Sequence, residues 1–361
     1  MMDKDTLHSL FQRMVDADAS DLFLTTGAPP HFKIQGETGP LAMPALQPGQ
    51  AGALAASIMT ATQAADFERQ LEANLSYNAP GIGRFRISVY RQRGETAMVA
   101  RLIHERIPDF DALGLPAAVR ELALLRRGLL LVVGAAGSGK STTLASMIDY
   151  RARQSGGHIL TVEDPIEYLF THDRSTVDQR EIGTDTHSFA DALRNAMRQA
   201  PDVIMIGEIR DRETMEHAIA YAETGHLCVS TLHAANASQA LKRIINFFPE
   251  NLHPQLRMDL SLNLQAIVSQ RLLPGREGGR VLATELLLHS AYLADLILKG
   301  AVDEIHHAIE KSMGVGMHTF DQVLLELFQA GRISEDTALV NADSRTDLRQ
   351  RMRIHSAYDP R

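Results

Sequence analysis

A short glycine-rich segment of this chain has the residue types and spacing needed to bind phosphate. The residues from Leu129 to Val133 are apolar, as in a buried strand, and the run from Gly134 to Ser141 fits the pattern G-x-x-x-x-G-K-[ST]. Glycines let backbone N–H groups converge on phosphate oxygens, and the positive end of the following helix adds to the attraction. The segment therefore predicts a site for a nucleoside triphosphate.

The pattern also assigns roles within this loop. We expect Lys140 to contact the β- and γ-phosphates and the Ser141 hydroxyl to bind Mg²⁺, so that the predicted cofactors are ATP and Mg²⁺. The predicted nucleotide-binding residues are Gly134, Ala135, Ala136, Gly137, Ser138, Gly139, Lys140, Ser141 and Thr142.

An acidic residue follows a second apolar run at a position suited to a metal ion. Glu208 comes after Val203–Ile206 and Gly207. An acid at the end of a buried strand lies at the sheet edge that carries the phosphate loop, where it can hold Mg²⁺ or its waters. We predict that Glu208 and Ser141 bind Mg²⁺; the alternative is an acid that caps the next helix.

Hydrolysis also needs a group that orients the attacking water. Glu163 and Asp164 end the predicted strand 158–162, and Pro165 turns the chain after them. Beside a phosphate loop, we predict that Glu163 orients the water and that Asp164 braces the loop or the surroundings of the metal. The alternative is a solvated pair of acids.

Two histidines flank a further apolar run. His226 precedes the predicted strand 227–231, and His233 follows it. We predict that each senses the γ-phosphate or relays to a subunit contact, with ordinary hydrogen-bonded histidines as the alternative. Their i,i+7 spacing without cysteine partners disfavours a zinc site.

Arginines crowd a predicted hairpin near the start of the chain. They are Arg84, Arg86, Arg91, Arg93 and Arg101. Surface arginines usually form a solvated face. In a protein with a phosphate loop they are also suited to be arginine fingers, if this part of a neighbouring subunit closes over the nucleotide. That role predicts assembly into a ring.

Composition excludes several classes of protein. The chain has 361 residues, a net charge of −8 and one cysteine, Cys228. An acidic balance argues against nucleic acid as a partner, and a single cysteine excludes a disulfide framework; we expect Cys228 to be a small buried strand residue. No apolar run approaches the ~18 residues of a membrane span, and the acidic, amphipathic N-terminus does not resemble a signal peptide. We therefore predict a cytoplasmic protein.

The pattern of elements predicts an α/β protein in four regions. Residues 1–104 combine a helix over 5–17, short strands, a helical stretch over 48–73 and a hairpin in a small α+β domain; 105–118 form a linker. Residues 119–290 alternate strands and helices as an ATP-binding core, and 291–361 are helical. The core strands are predicted at 129–133, 158–162, 203–206, 227–231 and 281–287, and its helices at 140–154, 188–199, 212–223, 236–246 and 254–270.

The end of the helical region looks different from the rest. Leu348, Met352 and Ile354 are the only large aliphatic residues of 343–361, among many charges. A segment that buries so little suits docking to a partner. We predict that its deletion leaves ATP hydrolysis and ring formation nearly intact.

Taken together, these blocks resemble the secretion ATPases, and within them the PilT-like branch that retracts type IV pili. The blocks are Ala19–Leu22, Gly27–Pro30, Gly83–Arg86, Gln92–Gly94, the phosphate loop, Thr161–Glu167, Gly207–Asp211 and Ala222–His233. The resemblance implies a PAS-like N-terminal domain, a RecA-like core and a homohexameric ring. It also implies that Glu163 is the catalytic glutamate, that Glu208 assists at Mg²⁺, and that Arg86, Arg93 and Arg101 are the fingers.

Within that branch the chain is similar to the PilU subgroup. It has no cysteine-rich zinc insert, and it reads Ala291-Tyr-Leu-Ala-Asp-Leu-Ile297 where retraction motors carry Ala-Ile-Arg-Asn-Leu-Ile. Its segments Met317–Gln322, Gly331–Ser334 and Asn341–Ser344 resemble the subgroup. The resemblance implies an accessory retraction motor beside a paralogous PilT-type motor. An inner-membrane pilus platform protein would hold it at the cytoplasmic face of the inner membrane of a bacterium.

Three alternatives remain open from the sequence. A pilus-assembly or type II secretion ATPase would normally carry the zinc cysteines and a longer N-terminal region. A weakly active scaffold that docks on the main motor is compatible with an intact Lys140, Glu163 and Glu208. A conjugation-type translocase that handles nucleic acid is disfavoured by the acidic balance.

Overall fold

The chain divides into two compact units. The structure, a computed structural model, describes residues 3–34, 36–103, 107–312, 314 and 316–358, with side chains described as far as Ile354. Unit 1 comprises Met1–Arg106 and Pro165–Leu169, and unit 2 comprises Ile107–Asp164 and Phe170–Arg361. The short segment Pro165–Leu169 thus belongs to unit 1 by its contacts, although it follows directly on Glu163 and Asp164.

Unit 1 is built on one antiparallel sheet with the strand order β3-β2-β1-β6-β5-β4. Its elements in chain order are α1 (Lys4–Asp16), β1 (Asp21–Leu24), β2 (His31–Ile34), β3 (Glu37–Pro40), α2 (Gln50–Ala56), α3 (Ala61–Gln70), β4 (Glu72–Ala79), β5 (Gly83–Gln92) and β6 (Glu95–Ile103).

Alternation along β5 organises the core of unit 1. Phe85, Ile87 and Val89 are buried, while Arg86 between them is exposed. The Phe85 ring stacks on Phe11 of α1 at a centroid distance of 3.9 Å. The sheet therefore presents one apolar face to the helices and one polar face that carries Arg86 and Arg101.

The predicted hairpin is confirmed, and the predicted helix over 48–73 is wrong in its length. Arg93 and Gly94 close the hairpin with φ angles of 52° and 81°, the conformation of a tight two-residue turn. The helical stretch is two helices, because the Thr60 side chain caps a new helix in a capping box with Gln63. Its last residues enter β4.

Unit 2 is built on a second, mostly parallel sheet with the order β13-β12-β7-β11-β10-β8-β9, in which β13 alone runs antiparallel to its neighbour. Its strands are β7 (Gly128–Gly134), β8 (Gly157–Glu163), β9 (Ser175–Glu181), β10 (Val203–Ile206), β11 (Leu227–Leu232), β12 (Leu264–Pro274) and β13 (Arg280–Leu288).

Helices follow most of these strands and then form the C-terminal end of unit 2. They are α4 (Ala118–Ala123), α5 (Lys140–Gln154), α6 (Phe189–Ala196), α7 (Arg212–Glu223), α8 (Ala237–Asn246), α9 (His253–Asn263), α10 (Ala291–Lys299), α11 (Ile305–Lys311), α12 (Phe320–Gln329), α13 (Glu335–Val340) and α14 (Arg345–Tyr358). None of the helices in the described part of the chain is both long and apolar enough to cross a membrane.

Both faces of this sheet are covered, which explains its continuous apolar strands. Along β7, Leu129 and Leu131 join the cluster that contains α6 to α10, while Leu130 and Val132 join the cluster that contains α4 and α5. Successive strand residues point to opposite faces, so a strand buried on both sides must be apolar throughout. The predicted α/β class is confirmed.

The predicted helix over 254–270 is present over its first part and wrong from residue 264 onward. Helix α9 ends at Asn263, and β12 begins at Leu264 between β7 and β13. Leu256, Leu260 and Ile267 continue a helical spacing of apolar residues, so periodicity alone does not separate the two elements. Pairing with β7 and β13, which are distant in sequence, decides the conformation.

The C-terminal segment is part of the core of unit 2. Leu348 and Met352 of α14 are buried against Phe320 and Leu324 of α12. Arg351 forms an ion pair with Glu310 at 2.5 Å. The expectation that 343–361 buries little is therefore wrong as far as Ile354; the side chains beyond it lie outside the described residues.

Candidate nucleotide-binding site

The phosphate loop folds back on the strand that precedes it. At Gly134, with φ of 157°, a Cβ atom would lie 2.3 Å from the Ser138 Oγ and 2.7 Å from the Gln270 carbonyl oxygen. Only glycine leaves room for that approach. Gly139, with φ of 90°, is the N-cap of α5, so the loop ends at a helix N-terminus suited to an anion.

Lys140 is buried inside this loop. Its Nζ donates hydrogen bonds to the carbonyl oxygens of Gly134 at 3.0 Å and Ala135 at 2.9 Å. It also lies 3.5 Å from Nδ1 of His233. The ammonium group is thereby held at the centre of the cradle that would receive phosphate oxygens.

His233 connects Lys140 with Glu208. Its Nε2 lies 3.2 Å from Oε1 of Glu208. This placement suits a ring in which Nδ1 accepts from the Lys140 ammonium and Nε2 donates to Glu208. The ring thus links the phosphate loop to the acid predicted to hold Mg²⁺.

The network extends to a second acid through an arginine. Arg210 Nε donates to Oε2 of Glu208 at 2.9 Å, and its Nη1 lies 3.5 Å from Oδ2 of Asp164. Glu208 is partly exposed and carries hard oxygen ligands of the kind that Mg²⁺ prefers. Its role at the metal, together with Ser141, stays a prediction.

Glu163 is the last residue of β8 and its side chain is buried. Oε1 accepts hydrogen bonds from Thr161 Oγ1 at 2.7 Å and from Gln179 Nε2 at 3.2 Å, which orient the carboxylate. At Gly207 a Cβ atom would lie 3.3 Å from the Glu163 Cα. Glycine there lets the end of β10 approach the end of β8.

Parallel pairing gathers these groups at one sheet edge. The carboxyl ends of β7, β8, β10 and β11 carry Gly134, Glu163, Gly207–Glu208 and His233 respectively. The edge at the carboxyl ends of parallel strands is where α/β proteins bind ligands.

His226 lies at the opposite edge. It precedes β11, its carbonyl accepts from Gly128 N at the start of β7, and its Nδ1 contacts Thr224 Oγ1 at 3.0 Å. A strand of this length spans about 20 Å. The expectation that His226 senses the γ-phosphate is therefore wrong for the site of its own subunit, whereas a relay to a subunit contact stays a prediction.

The predicted finger arginines lie in unit 1. Arg86 and Arg101 are paired across β5 and β6. Arg101 Nε donates to Oδ1 of the buried Asp21 at 2.7 Å, and Arg93 is exposed in the hairpin turn. Arg86 and Arg101 also line a cavity of about 210 Å³ with the segment 165–168. Their action on a neighbouring subunit's nucleotide stays a prediction.

A cavity of about 690 Å³ opens beside the phosphate loop. It is bounded by Ala135–Ser138, by the end of β12 including Gln270 and Arg271, and by Asn341. Its size suits the nucleoside part of a nucleotide. The sequence did not indicate Gln270, Arg271 or Asn341, because β12 was predicted as helix and Asn341 follows a distant helix.

Cys228 is not part of this site. It is a free thiol in β11, and complete burial raises its pKa to about 12. The expectation of a buried strand residue is confirmed, and a neutral thiol in the core is no nucleophile.

Comparison with known proteins places the fold and the site in a family. A family model described as "Type II/IV secretion system protein" matches residues 3–291. The chain is 50% identical over 351 residues to the type IV pilus ATPase PilU of Pseudomonas aeruginosa, covering 97% of this chain and 92% of that protein. It is 39% identical over 320 residues to the type IV pilus retraction ATPase PilT of the same organism, covering 89% and 93%.

Solved structures give the same result. The pilus retraction motor PilT with bound ADP matches with a TM-score of 0.90 at 43% identity, covering 95% of this chain and 99% of that chain. The Legionella pneumophila ATPase DotB matches with a TM-score of 0.83 at 26% identity, covering 94% and 95%. The fold and the phosphate loop define a RecA-like P-loop ATPase with an additional N-terminal unit. The chain belongs to the type II/IV secretion system protein family of ATPases.

Proposed function

We propose that this chain is a type IV pilus retraction ATPase of the PilU type. The observation that carries the proposal is the connected site at one sheet edge, in which His233 joins Lys140 of the phosphate loop to Glu208. Identity of 50% to a protein named PilU over 97% of the chain supports the particular assignment.

The residues of the site suggest a division of labour. ATP phosphates enter the glycine cradle, and Lys140 exchanges its bonds to the Gly134 and Ala135 carbonyls for phosphate oxygens. Ser141 and Glu208 would hold Mg²⁺, which would supply charge neutralisation at the phosphates. Glu163, oriented by Thr161 and Gln179, positions the attacking water.

His233 and the unit 1 arginines complete the proposed cycle. When Lys140 turns to the phosphates, the hydrogen-bonded ring of His233 carries the change to Glu208 and Arg210. Arg86, Arg93 and Arg101 reach the nucleotide of the neighbouring subunit in a homohexamer. The four regions 1–104, 105–118, 119–290 and 291–361 act as PAS-like domain, linker, motor core and helical end.

The proposed setting is the cytoplasmic face of a bacterial inner membrane. There the ring works beside a paralogous PilT-type motor on the inner-membrane platform protein of the pilus, without contacting nucleic acid. Membrane association is then only through these partners.

A complementation experiment tests the proposal. In a strain that lacks this protein, pilus retraction is measured after expression of the wild-type chain, Lys140→Ala, or Lys311→Ala as an exposed lysine control on α11. Because the paralogous motor is still present, we expect the wild type and Lys311→Ala to raise retraction above the level of the deletion strain, and Lys140→Ala to leave it at that level. Restored retraction with Lys140→Ala would contradict a role for ATP hydrolysis by this chain.

A further inference from the structure

One arginine at the edge of the nucleotide cavity also holds the C-terminal helices. Arg271 lies on β12, and both Arg271 and Asn341 line the cavity beside the phosphate loop. The Arg271 Nη1 donates to the carbonyl oxygen of Asn341, and its Nη2 pairs with Oδ1 of Asp343 at 2.6 Å. The wall of the cavity is therefore tied directly to the connection between α13 and α14.

The other face of the same guanidinium rests on the C-terminal core. Its Cζ lies 3.7 Å from the ring centroid of Phe320, which is fully buried at the start of α12. A planar cation stacked on an aromatic ring and bonded to a carboxylate has little freedom to move. Arg271 thus has one arrangement that satisfies the cavity wall and α12 together.

A second acid, Asp321 of α12, also holds the connection between α13 and α14. The backbone N–H groups of Asp343 and Ser344 donate to the two carboxylate oxygens of Asp321 on α12, at 2.7 and 2.9 Å. Burial raises the pKa of Asp321, and these two hydrogen bonds act against the increase. We call residues 341–344 the latch segment, since it touches β12, α12 and the start of α14.

We propose that Arg271 and the latch segment couple nucleotide binding to the ordering of α13 and α14. A nucleotide whose phosphates occupy the loop and whose nucleoside part fills the cavity packs against Arg271 and Asn341 in their latched positions. Binding then stabilises the latch, and the latch pre-forms the cavity. This inference rests on the proposed function, because it requires that a nucleotide binds at the phosphate loop.

Such coupling must be reciprocal. If nucleotide strengthens the latch by some factor, complete loss of the latch lowers nucleotide affinity by the same factor. Asp343 holds Arg271 but is not among the residues that bound the cavity. Asp343→Asn therefore changes the latch without removing a group from the cavity wall.

The test measures both sides of this linkage on full-length protein with ADP as the probe. ADP affinity is measured for the wild type, Asp343→Asn and Asp347→Asn, the last being an exposed acid in the first turn of α14. Amide hydrogen exchange over residues 335–354 is followed with and without ADP, with α1 of unit 1 as the internal reference. We expect about fivefold weaker ADP binding by Asp343→Asn, at the lower end of typical coupling, and wild-type affinity for Asp347→Asn.

Amide hydrogen exchange distinguishes coupling between ADP and the latch segment from a simple loss of stability in Asp343→Asn. We expect ADP to slow exchange over α13 and α14 in the wild type and in Asp347→Asn, and to slow it much less in Asp343→Asn. Equal exchange with and without ADP in the wild type, while ADP binds, would overturn the coupling, as would unchanged affinity in Asp343→Asn. Failure of the wild type to bind ADP at all would overturn the proposed function as well.

Discussion

The phosphate-loop edge and the C-terminal helices of unit 2 are assembled in opposite ways. At the edge, the residues from Gly134 to Ser141 are contiguous, and each acid or histidine lies at the end of a buried strand or within two residues of it. The latch segment instead depends on Arg271, Phe320 and Asp343, which are far apart in sequence. Residues close together in sequence form the nucleotide-binding groups, whereas contacts between residues distant in sequence hold the helices beside them.

Loss of Lys140 is expected to have the largest effect on activity. Lys140→Ala removes the charge that the loop holds between Gly134 and Ala135, and we expect about 1000-fold slower ATP hydrolysis with an unchanged melting temperature. Phosphate release at saturating ATP measures it, with Lys311→Ala as control. Wild-type turnover would remove Lys140 from the mechanism.

The C-terminal core is expected to respond in stability instead. Leu348→Ala deletes a fully buried side chain of α14, and we expect a loss of about 3 kcal/mol in the free energy of unfolding. Denaturant unfolding measures it. Ile354→Ala, on the same helix and 51% exposed, should cost about 0.5 kcal/mol or less. Equal effects of the two changes would restore the view of 343–361 as a loosely packed docking segment.

The two histidines around β11 sharpen the contrast between the sheet edges. His233→Ala breaks the link from Lys140 to Glu208, and we expect kcat to fall about tenfold, equivalent to about 1.4 kcal/mol for one hydrogen bond to a charged group. His226→Ala, at the opposite edge, should change kcat by less than about twofold. A larger effect of His226→Ala, with the ring intact, would support the subunit relay predicted from the sequence.

A mixing experiment tests the arginines of unit 1, with the smallest expected signal. Arg86→Ala and Lys140→Ala proteins are each expected to be nearly inactive, but in an equal mixture about a quarter of the subunit interfaces would carry both intact halves. Partial recovery of ATP hydrolysis after verified subunit exchange is the expected result. Arg69→Ala, an exposed arginine on α3, is the control that should stay active alone. Absence of recovery would contradict fingers acting between subunits.

The same difference between neighbouring and distant residues explains which elements the sequence could predict. The phosphate loop before α5 and the acid Glu208 after β10 were predicted because the strand, the glycines and the acid are neighbours in the sequence. Strand β9 was missed because Val177 is its only large apolar residue. Strand β12 was missed because its apolar spacing continues that of α9. The positions of Gln270 and Arg271 in the cavity wall were therefore not predicted either.

The burial of the C-terminal helices could also not be predicted from their own residues. Their approximate positions follow from apolar spacing, but the burial of Leu348 depends on α12 and on the ion pair of Arg351 with Glu310. A count of aliphatic residues in 343–361 underestimates a core that is completed by other elements. Similarly, His226 and His233 flank β11 at its two ends. The parallel pairing of β11 with β7 shows that His233, and not His226, lies at the edge that carries the phosphate loop.

We propose that Lys140 and Glu163 act in different steps on one nucleotide at the edge of this sheet. The most direct measurement determines ATP affinity and hydrolysis rate on one preparation of Glu163→Gln, beside the wild type. We predict ATP affinity within about threefold of the wild type and hydrolysis about 100-fold slower, because the phosphate cradle survives while the water loses its orienting carboxylate. Hydrolysis at the wild-type rate, or loss of ATP binding, would contradict it.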